Sequence, residues 1–401
     1  MALLSVEEAL RRILDGAQPT EAEPISIDQA HRRVIADPLS ALLTQPPFDA
    51  SAMDGYAVRV ADLAQLPVTL AVIGEAAAGH PFDGPVGKGE AVRIFTGAPV
   101  PDGANGIVIQ ENTQRDGANV IVREGTVDTG HIRTRGFDFH QGETLLEAGR
   151  RLGPREISLA AAMGHGQVLV RRRPRVAILS TGDELVEPGT IPGHGQIVAS
   201  NHLGVAALVE AAGATPQLLG IARDTTADLQ TCLSKADGAD IIVTIGGASV
   251  GDHDLVAPVL EARGMSLAFW KIAMRPGKPL MFGHLGGSRV LGLPGNPVSS
   301  LICGRIFLVP LIRALLGQPA LQDTPVQARL DVALPANGPR QHYMRAISRP
   351  GPDGMPLVVP VRSQDSSLLA PLAEADCLLV RYPGAPEAPV GALVPILPLD
   401  L

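Results

Sequence analysis

The spacing of apolar residues changes several times along the chain, and each change predicts a different kind of structure. In the first segment, MALLSVEEALRRIL, apolar positions recur with helical spacing and Ser5 lies three residues before Glu8, a pattern typical of a capped helix. A second helix is expected to begin near Ser26 and to include residues 29–35. The pattern therefore predicts a helical segment over residues 1–45.

Short β-like runs separated by glycine follow over residues 46–145, as in YAVRV, EAVRIFTG and NVIVREG. This spacing predicts a small, barrel-like β-domain. A helical pattern returns over residues 150–172, with Pro154 in its first turn. We expect residues 146–173 to pack beside residues 1–45, so that the β-domain is an insertion.

Strand-like and helix-like segments alternate over residues 174–324, which predicts a doubly wound α/β domain. The expected strands are RVAILST, TPQLLGIA, ADIIVTIGG, MSLAFWKIA and SRVLGLPG. A long helix follows the last strand, with Asn296 as N-cap and Pro297 in its first turn. Residues 325–401 return to β-like runs. The chain is therefore expected to be a multidomain α/β plus β protein with a small C-terminal β-domain.

The charge balance limits the classes of partner. The formal net charge is −8 and the sequence has no long basic face, so nucleic acid is not an expected partner. The cluster of Arg171, Arg172, Arg173 and Arg175 is an exception. We interpret it as a solvated linker rather than as a phosphate-binding patch.

The cysteines and the apolar runs predict the cellular compartment of the protein. Cys232, Cys303 and Cys377 match no metal-binding or disulfide spacing, and we expect them to be core residues of a reduced, cytoplasmic protein. The N-terminus lacks the apolar run and cleavage site of a signal peptide. No uninterrupted run of about 20 apolar residues occurs, so no membrane span is predicted.

The most informative segment for function is DIIVTIGGASVGDHD, residues 240–254. A strand ends at Gly246 and Gly247, and the acids Asp252 and Asp254 follow a short turn. Backbone N–H groups at such a strand end bind ligands in open α/β sheets, and nearby acids suggest a divalent metal beside an anion. The alternative is a tight turn whose acids only cap the next helix.

Polar side chains also follow other expected strands. Glu184 lies after the first strand and Asp224 after the second, whereas Lys271, Arg275 and Lys278 share one short segment. Lysine is rare in this chain, so this segment is better explained by anion binding than by surface decoration. Carboxylates suit Mg²⁺, and Lys and Arg neutralise oxyanions, so the loops predict a site for a metal-bridged phosphate or a similar oxyanion.

The β-domain carries conspicuous polar residues of its own. Asp54 lies in the turn of PPFDASAMDGYAVR, Thr96 ends the strand of RIFTGAPVPDGAN, and Asp138 lies between two phenylalanines in GFDF. Each of these is also compatible with turn chemistry alone, and we favour that interpretation for Asp49 of the first segment.

Six sequence motifs resemble those of a known protein family. FDASAMDGYAVR, FTGAPVPDGAN, STGDEL, GGASVGDHD, MRPGKPL and GLPGNPVSS occur in this order over essentially the whole chain. The sequence resembles the molybdopterin molybdenumtransferase family, which includes MoeA and the E domain of gephyrin. The resemblance implies a molybdopterin-binding α/β domain and an enzyme that inserts molybdate into adenylylated molybdopterin. It also implies Mg²⁺-dependent cleavage of the pyrophosphate link, with release of AMP.

The resemblance further implies a homodimer whose site lies between the α/β domain of one subunit and the β-domain of the other. The molybdopterin adenylyltransferase is an expected protein partner. Matched to the family's motifs, the catalytic residues are Asp54, Thr96, Asp138, Glu184 and Asp254. The matched metal ligands are Glu184, Asp224 and Asp254. The matched substrate-binding residues are Gly246, Gly247, Ser249, Lys271, Arg275, Lys278, Pro294, Asn296, Arg345 and Ser366.

The chain departs from the family pattern at a few positions. Arg275 stands where the family often has Lys, Phe137 replaces a common acid, and Val256 replaces a common Lys. Two other functions stay open: a non-catalytic molybdopterin-binding scaffold and a tungsten-inserting paralogue. The intact acids at Glu184 and Asp254 favour the enzyme over the scaffold. The added β-domains argue against the sister adenylyltransferase, because that activity belongs to a lone α/β domain.

Overall fold

A computed structural model describes residues 3–123, 131–247, 255–318, 325–352 and 354–399. Within these ranges the chain forms three six-stranded sheets and four two-stranded sheets. The α-helices are Val6–Leu14, Pro154–Ala162, Asn201–Ala211, Thr226–Ser234, Val256–Ala262, Pro297–Cys303, Val309–Leu315 and Ala370–Glu374. The predicted multidomain α/β plus β architecture is confirmed.

The central sheet has the strand order Thr215–Ala222, Arg175–Thr181, Ile241–Ile245, Ser288–Leu293, Met281–Leu285, Ser266–Trp270. The first four strands are parallel, so their carboxyl ends meet at one edge of the sheet. The antiparallel strand Met281–Leu285 was not predicted. It reads MFGHL, and its glycine and histidine interrupt the β-branched pattern that identified the other strands.

The long helix after the last parallel strand is the main core element. It runs over Pro297–Leu315 and includes a π-helical turn at Gly304–Leu308. Pro310 lies just after this turn, and since proline has no N–H to donate, the wider turn accommodates the missing hydrogen bond. Among the described helices, this one alone is long and apolar enough to cross a membrane, with a mean hydropathy of 1.8. Because 78% of that segment is buried within the fold, it has the burial of a core helix.

The N-terminal prediction is only partly right. The first helix and its cap are confirmed, because Ser5 Oγ accepts a hydrogen bond from Glu8 N at 3.1 Å. The second helix is wrong: the strand Ala22–Ser26 and the short 3-10 turn Ile27–Gln29 replace it. The helix predicted over residues 150–172 is shorter in the structure: it ends at Ala162, and Gln167–Arg171 is a strand that pairs antiparallel with Ala22–Ser26. Burial alternates along both strands, which is period-two patterning.

The inserted region is all-β, as predicted. Its sheet has the strand order Gly106–Ile109, Gly55–Val58, Glu90–Ile94, Val68–Ala76, Asn119–Val122, Thr113–Asp116. Two short antiparallel pairs flank this sheet along the chain. Ala50–Ser51 pairs with Ile132–Arg133, and Leu39–Ser40 pairs with Thr144–Leu146. Apolar residues of this region form two clusters separate from the central core.

The C-terminal sheet has the strand order Met274–Arg275, Gln341–Arg349, Leu357–Pro360, Val326–Leu330, Leu393–Pro398, Cys377–Arg381. Gln341–Arg349 also pairs with Cys377–Arg381. Its first strand belongs to the cationic segment predicted for the site, so this sheet is joined directly to the α/β region.

Separate cores support the four-part division that we propose: residues 1–45 with 146–173, 46–145, 174–324 and 325–401. One element departs from it. The helix Val6–Leu14 contributes Val6, Ala9, Leu10 and Ile13 to the central cluster that also contains the long helix. Segments around Ile35, Leu146 and Val170 form a separate cluster, in agreement with the predicted packing of residues 146–173 beside the N-terminal segment.

Candidate active site

A cavity of about 810 Å³ lies at the carboxyl edge of the central sheet. Its lining comes from the ends of all four parallel strands and from the ribbon formed by Leu185–Val186 and Ile197–Val198. The predicted site residues that line it are Glu184, Asp224, Gly246, Gly247, Pro294 and Asn296. This volume suits a ligand of cofactor size.

The glycine turn after Ile241–Ile245 requires its two glycines. Gly246 and Gly247 have φ values of +94° and +58°. A Cβ on Gly246 would lie 2.7 Å from Thr181 O, and one on Gly247 would lie 2.4 Å from Val256 Cγ2. The prediction that this turn offers free N–H groups needs a correction at Gly246, whose N–H donates to Leu293 O at 3.1 Å.

Thr181 is a cavity residue that the sequence analysis missed. It ends the strand Arg175–Thr181, it is 5% exposed, and it lines the cavity beside the glycine turn. Within the described residues, its Oγ1 atom is buried and has no hydrogen-bond partner. A buried hydroxyl without a partner is costly, so a ligand oxygen is a fitting partner for it. Its place in STGDEL, directly before the predicted acids, was the available signal.

The two acidic loops are tied to each other. Asp183 N donates to Asp224 Oδ2 at 3.4 Å, and Asp224 N donates to Asp183 Oδ1 at 3.3 Å. The carboxylate of Glu184 lies over Gly182, where an added Cβ would approach its Oε2 within 2.5 Å. Glu184 and Asp224 both line the cavity.

No group of three or more His, Cys, Asp or Glu side chains close enough to hold a metal occurs within the ranges that the structure describes. Asp254 and Ser249, two predicted site residues, lie outside the described residues, as does the acid Asp252.

The amino end of the long helix is held by the C-terminal region. Asn296 is the N-cap, as predicted, but its side chain makes no capping hydrogen bond. Its Nδ2 donates instead to Ser366 Oγ at 3.0 Å, and Val298 N donates to Ser366 O at 3.1 Å. Asn201 Nδ2 donates to Gly295 O at 2.7 Å. Ser366 thus lies at the cavity edge, and its neighbour Ser367 lines the cavity.

Arg345 takes a different place from the one expected of a substrate ligand. It is only 1% exposed. Its guanidinium donates to the backbone carbonyls of Leu368 at 2.9 Å, Ser363 at 2.8 Å and Asp365 at 2.9 Å. These bonds hold the loop of residues 363–368, which carries Ser366, so in this structure Arg345 positions the loop and does not reach the cavity.

The cationic segment borders the cavity without lining it. Pro279 is a lining residue, whereas Lys271, Arg275 and Lys278 are not. Lys271 has φ +80°, a rare left-handed conformation for a side-chain-bearing residue. Its N–H donates to Leu280 O at 3.0 Å, which closes the loop that exposes Arg275 and Lys278. Such strain is commonly retained at functional sites.

The predicted β-domain residues Asp54, Thr96 and Asp138 do not line the cavity, and only Asp54 and Thr96 contact each other. Asp54 Oδ1 accepts hydrogen bonds from Thr96 N at 2.8 Å and from Thr96 Oγ1 at 2.9 Å. These two bonds, aided by the nearby charge of Arg93, lower the pKa of Asp54. The Arg93 guanidinium lies 5.1 Å from the ring centroid of Tyr56 and 4.9 Å from that of Phe95, which fixes its position.

Two other acids of this region, Asp138 and Asp49, make different hydrogen bonds from those of Asp54. Asp138 is exposed, and its N–H donates to Gln45 O at 3.0 Å. Asp49 Oδ1 accepts a hydrogen bond from Arg135 N at 2.7 Å, so its side chain joins two distant segments rather than capping its own turn.

Comparisons with known proteins agree along the whole chain. Residues 4–164 match the model of the MoeA N-terminal region (domain I and II), residues 177–314 match a probable molybdopterin binding domain, and residues 327–399 match the MoeA C-terminal region (domain IV). A Haemophilus influenzae protein named molybdopterin molybdenumtransferase is 35% identical over 402 residues, which cover 99% of each chain.

A Nostoc sp. protein of the same name is 39% identical over 340 residues, which cover 82% of this chain and 78% of that one. The crystal structure of a molybdopterin biosynthesis MoeA protein from Pyrococcus horikosii superposes with a TM-score of 0.85 at 30% identity and covers all of both chains. The chain therefore belongs to the molybdopterin molybdenumtransferase, or MoeA, family.

Proposed function

We propose that this chain inserts molybdenum, supplied as molybdate, into adenylylated molybdopterin, with cleavage of the pyrophosphate link and release of AMP. The observation that carries the proposal is the shared cavity of Glu184 and Asp224 with the glycine turn and Thr181. Carboxylates and a hydroxyl donor that line the same cavity suit a phosphoanhydride bound with a divalent cation. The relatives' names give the reaction class.

Mg²⁺ fits the donor set of this cavity. Glu184 and Asp224 offer hard carboxylate oxygens, and Mg²⁺ commonly takes only one or two carboxylates beside water and substrate phosphates. Asp254 is the third ligand by prediction. When bound, Mg²⁺ would neutralise phosphate oxygens and polarise the bond that is cleaved. The reaction needs no serine or cysteine nucleophile.

The cationic segment has a separate role in this proposal. Lys271, Arg275 and Lys278 hold phosphate or molybdate oxygens at the border of the cavity, because the ligand is strongly anionic and the chain has a net charge of −8. Arg275 supplies a planar fork rather than a point charge, so it would contact two oxygens of one group.

A homodimer accounts for the second group of predicted residues. Asp54, Thr96 and Asp138 lie outside the cavity lining of their own chain. We propose that a second copy brings them to the cavity, where the carboxylates shape the metal-insertion end. Asp54 is suited to this role since its low pKa keeps it charged.

The remaining proposals concern setting and partners. All three cysteines are free and buried, which supports a reduced, cytoplasmic location. The adenylyltransferase that makes the substrate is the proposed protein partner. A scaffold would bind molybdopterin without releasing AMP, and a tungsten-inserting paralogue would prefer tungstate.

The test uses purified chain, adenylylated molybdopterin, Mg²⁺ and either molybdate or tungstate, with AMP and active cofactor as readouts. We expect AMP release with molybdate, and its reduction by about 100-fold or more in Glu184→Gln, since an electrostatic group at the reacting phosphate is lost. Glu261→Gln, an exposed helix position outside the cavity, is the matched control. Binding of substrate without AMP release in the unmodified chain would support the scaffold and overturn the proposal.

A further inference from the structure

A second cleft, of about 700 Å³, lies between the N-terminal segment, residues 147–156 and the end of the long helix. Among the residues that the structure describes, its basic lining residues are His31, Arg32, Arg150, Arg151, Arg155 and Arg313. The acidic ones in the same ranges are Glu147 and Glu156, so arginine dominates the described lining although the chain as a whole is acidic. Within the described ranges it shares no lining residue with the cavity at the sheet edge.

Three of these arginines have no carboxylate partner among the described residues. Glu156 pairs with Arg150 at 2.6 Å and also accepts a hydrogen bond from Gly153 N at 3.0 Å, so this acid is already used at the start of its own helix. In the part of the chain that the structure describes, Arg32, Arg151 and Arg155 form no ion pair. Like charges held together without a counter-charge cost free energy, and a bound anion would remove that cost.

The backbone holds two of these arginines in place. Arg32 N donates to Leu152 O at 2.8 Å, and Leu152 N donates to Arg33 O at 2.8 Å, so the two segments are paired beside the cleft. Arg32 has φ +62°, which makes it, with Lys271, one of two side-chain-bearing residues in the left-handed region among those described. Arg151 Nη2 donates to Ala211 O at 3.1 Å, which uses one of the five N–H groups of its guanidinium.

Electrostatics agree with this geometry. Burial, together with the nearby charges of Arg32, Arg313 and Arg173, lowers the pKa of Arg151.

The cleft is also remote from the cavity at the sheet edge. Pro297 lines that cavity, and Arg313 of the cleft lies 16 residues further along the same helix, which is about 24 Å at 1.5 Å per residue.

We propose that this arginine cleft is a second anion-binding site, which takes a phosphate-bearing molecule with more than one phosphoryl group or with an attached organic part. Guanidinium groups bind phosphate oxygens in pairs, and several of them converge here in a volume typical of small-molecule sites. The inference does not depend on the reaction proposed for the other cavity.

The experiment measures binding of inorganic pyrophosphate and of AMP to the full chain by calorimetry, and localises it by hydrogen–deuterium exchange. Pyrophosphate should slow exchange in residues 149–153, separately from any slowing in residues 180–184 at the other cavity. The double variant Arg32→Gln/Arg151→Gln should weaken this binding about tenfold or more, because charged hydrogen bonds are lost. Arg115→Gln/Arg133→Gln removes the same charge elsewhere and should change nothing.

Comparison of the two probes identifies the ligand class. Preference for pyrophosphate indicates a polyphosphate group, and preference for AMP indicates a nucleoside phosphate. Equal binding in both double variants, or no slowing in residues 149–153, would overturn the proposal. So would a halved solution mass of Arg32→Gln/Arg151→Gln with unchanged pyrophosphate affinity, because the cleft would then be an interface between copies of the chain.

Discussion

Asn296 Nδ2 donates to Ser366 Oγ at 3.0 Å, and this bond joins the amino end of the core helix to a loop of the C-terminal sheet. The buried guanidinium of Arg345 holds this loop, residues 363–368, by donating hydrogen bonds to three of its backbone carbonyls. The C-terminal sheet therefore contributes to the edge of the cavity through a buried cation that does not itself reach the ligand.

Replacement of Arg345 should disturb both stability and substrate binding. In Arg345→Lys the three carbonyls cannot all be satisfied, so we expect a loss of about 2 kcal/mol or more in the free energy of unfolding. The loop that presents Ser366 should loosen, and KM should rise more than kcat falls. Urea unfolding and steady-state kinetics measure the two effects. Arg362→Lys, an exposed position beside the same loop, should be neutral. Unchanged KM in a destabilised Arg345→Lys would exclude the positioning role.

The unpartnered hydroxyl of Thr181 predicts a separation of stability from binding. Thr181→Val removes a buried group that has no partner in the described structure, so the free energy of unfolding should stay the same or increase. Affinity for the adenylylated substrate should nevertheless fall about tenfold, since a hydrogen bond to a ligand oxygen is lost. Calorimetric titration measures this affinity.

Thr244→Val is the matched control for this test. Thr244 is also buried and unpartnered among the described residues, but it lies on the neighbouring strand and does not line the cavity. Its substitution should leave substrate affinity unchanged. Equal losses of affinity in both variants would mean that the effect comes through the sheet and not through the ligand.

Alanine substitution of Gly247 should lower the stability of the fold by more than the backbone strain alone would. Gly247 and Gly286 both have φ +58°, so an added Cβ costs each about 1 kcal/mol from backbone strain. The Cβ at Gly247 would also collide with Val256 Cγ2 at 2.4 Å, whereas the one at Gly286 would meet nothing within 4 Å. Thermal unfolding should therefore show a clearly larger decrease in Tm for Gly247→Ala than for Gly286→Ala. Equal decreases would show that Val256 can move away at little cost.

The pair Asp54 and Thr96 predicts a pH effect with a definite sign. Two hydrogen bonds from Thr96 lower the folded-state pKa of Asp54, so the charged carboxylate is favoured in the fold. The resulting stabilisation is present above the ordinary Asp pKa of about 3.9 and is lost as pH falls through the lower, folded-state pKa. At neutral pH, Asp54 should therefore act as a carboxylate and not as a proton donor.

Carboxyl NMR titration of Asp54 measures this prediction. Thr96→Ala removes the hydroxyl bond but keeps the backbone bond, so the Asp54 midpoint should rise part of the way toward its ordinary value. Thr96→Ser keeps both donors and should leave the midpoint low. A midpoint in the unmodified protein at or above the ordinary value would contradict the assignment.

Sequence patterns predicted helices and strands correctly where the local pattern of apolar residues agrees with their burial in the fold. The inner parallel strands are rich in buried apolar residues, and the first helix is amphipathic with a capping serine, so both were placed correctly. The second N-terminal helix was predicted wrongly because this region pairs with distant segments: Ala22–Ser26 pairs with Gln167–Arg171, and Ile35 forms a bridge with Val170. A long-range partner of that kind leaves no trace in local spacing.

By itself, the sequence determined the family, the all-β and α/β regions, and the strand-end acids and glycines of the candidate site. Only the tertiary structure decided that the Thr181 hydroxyl has no hydrogen-bond partner among the described residues, that Gly246 N–H is already used, that Arg345 holds a loop, and that scattered arginines line one cleft. The physical reason is that residue type sets which chemistry a side chain offers, whereas its hydrogen-bond partners and its burial depend on segments that meet only when the chain has folded.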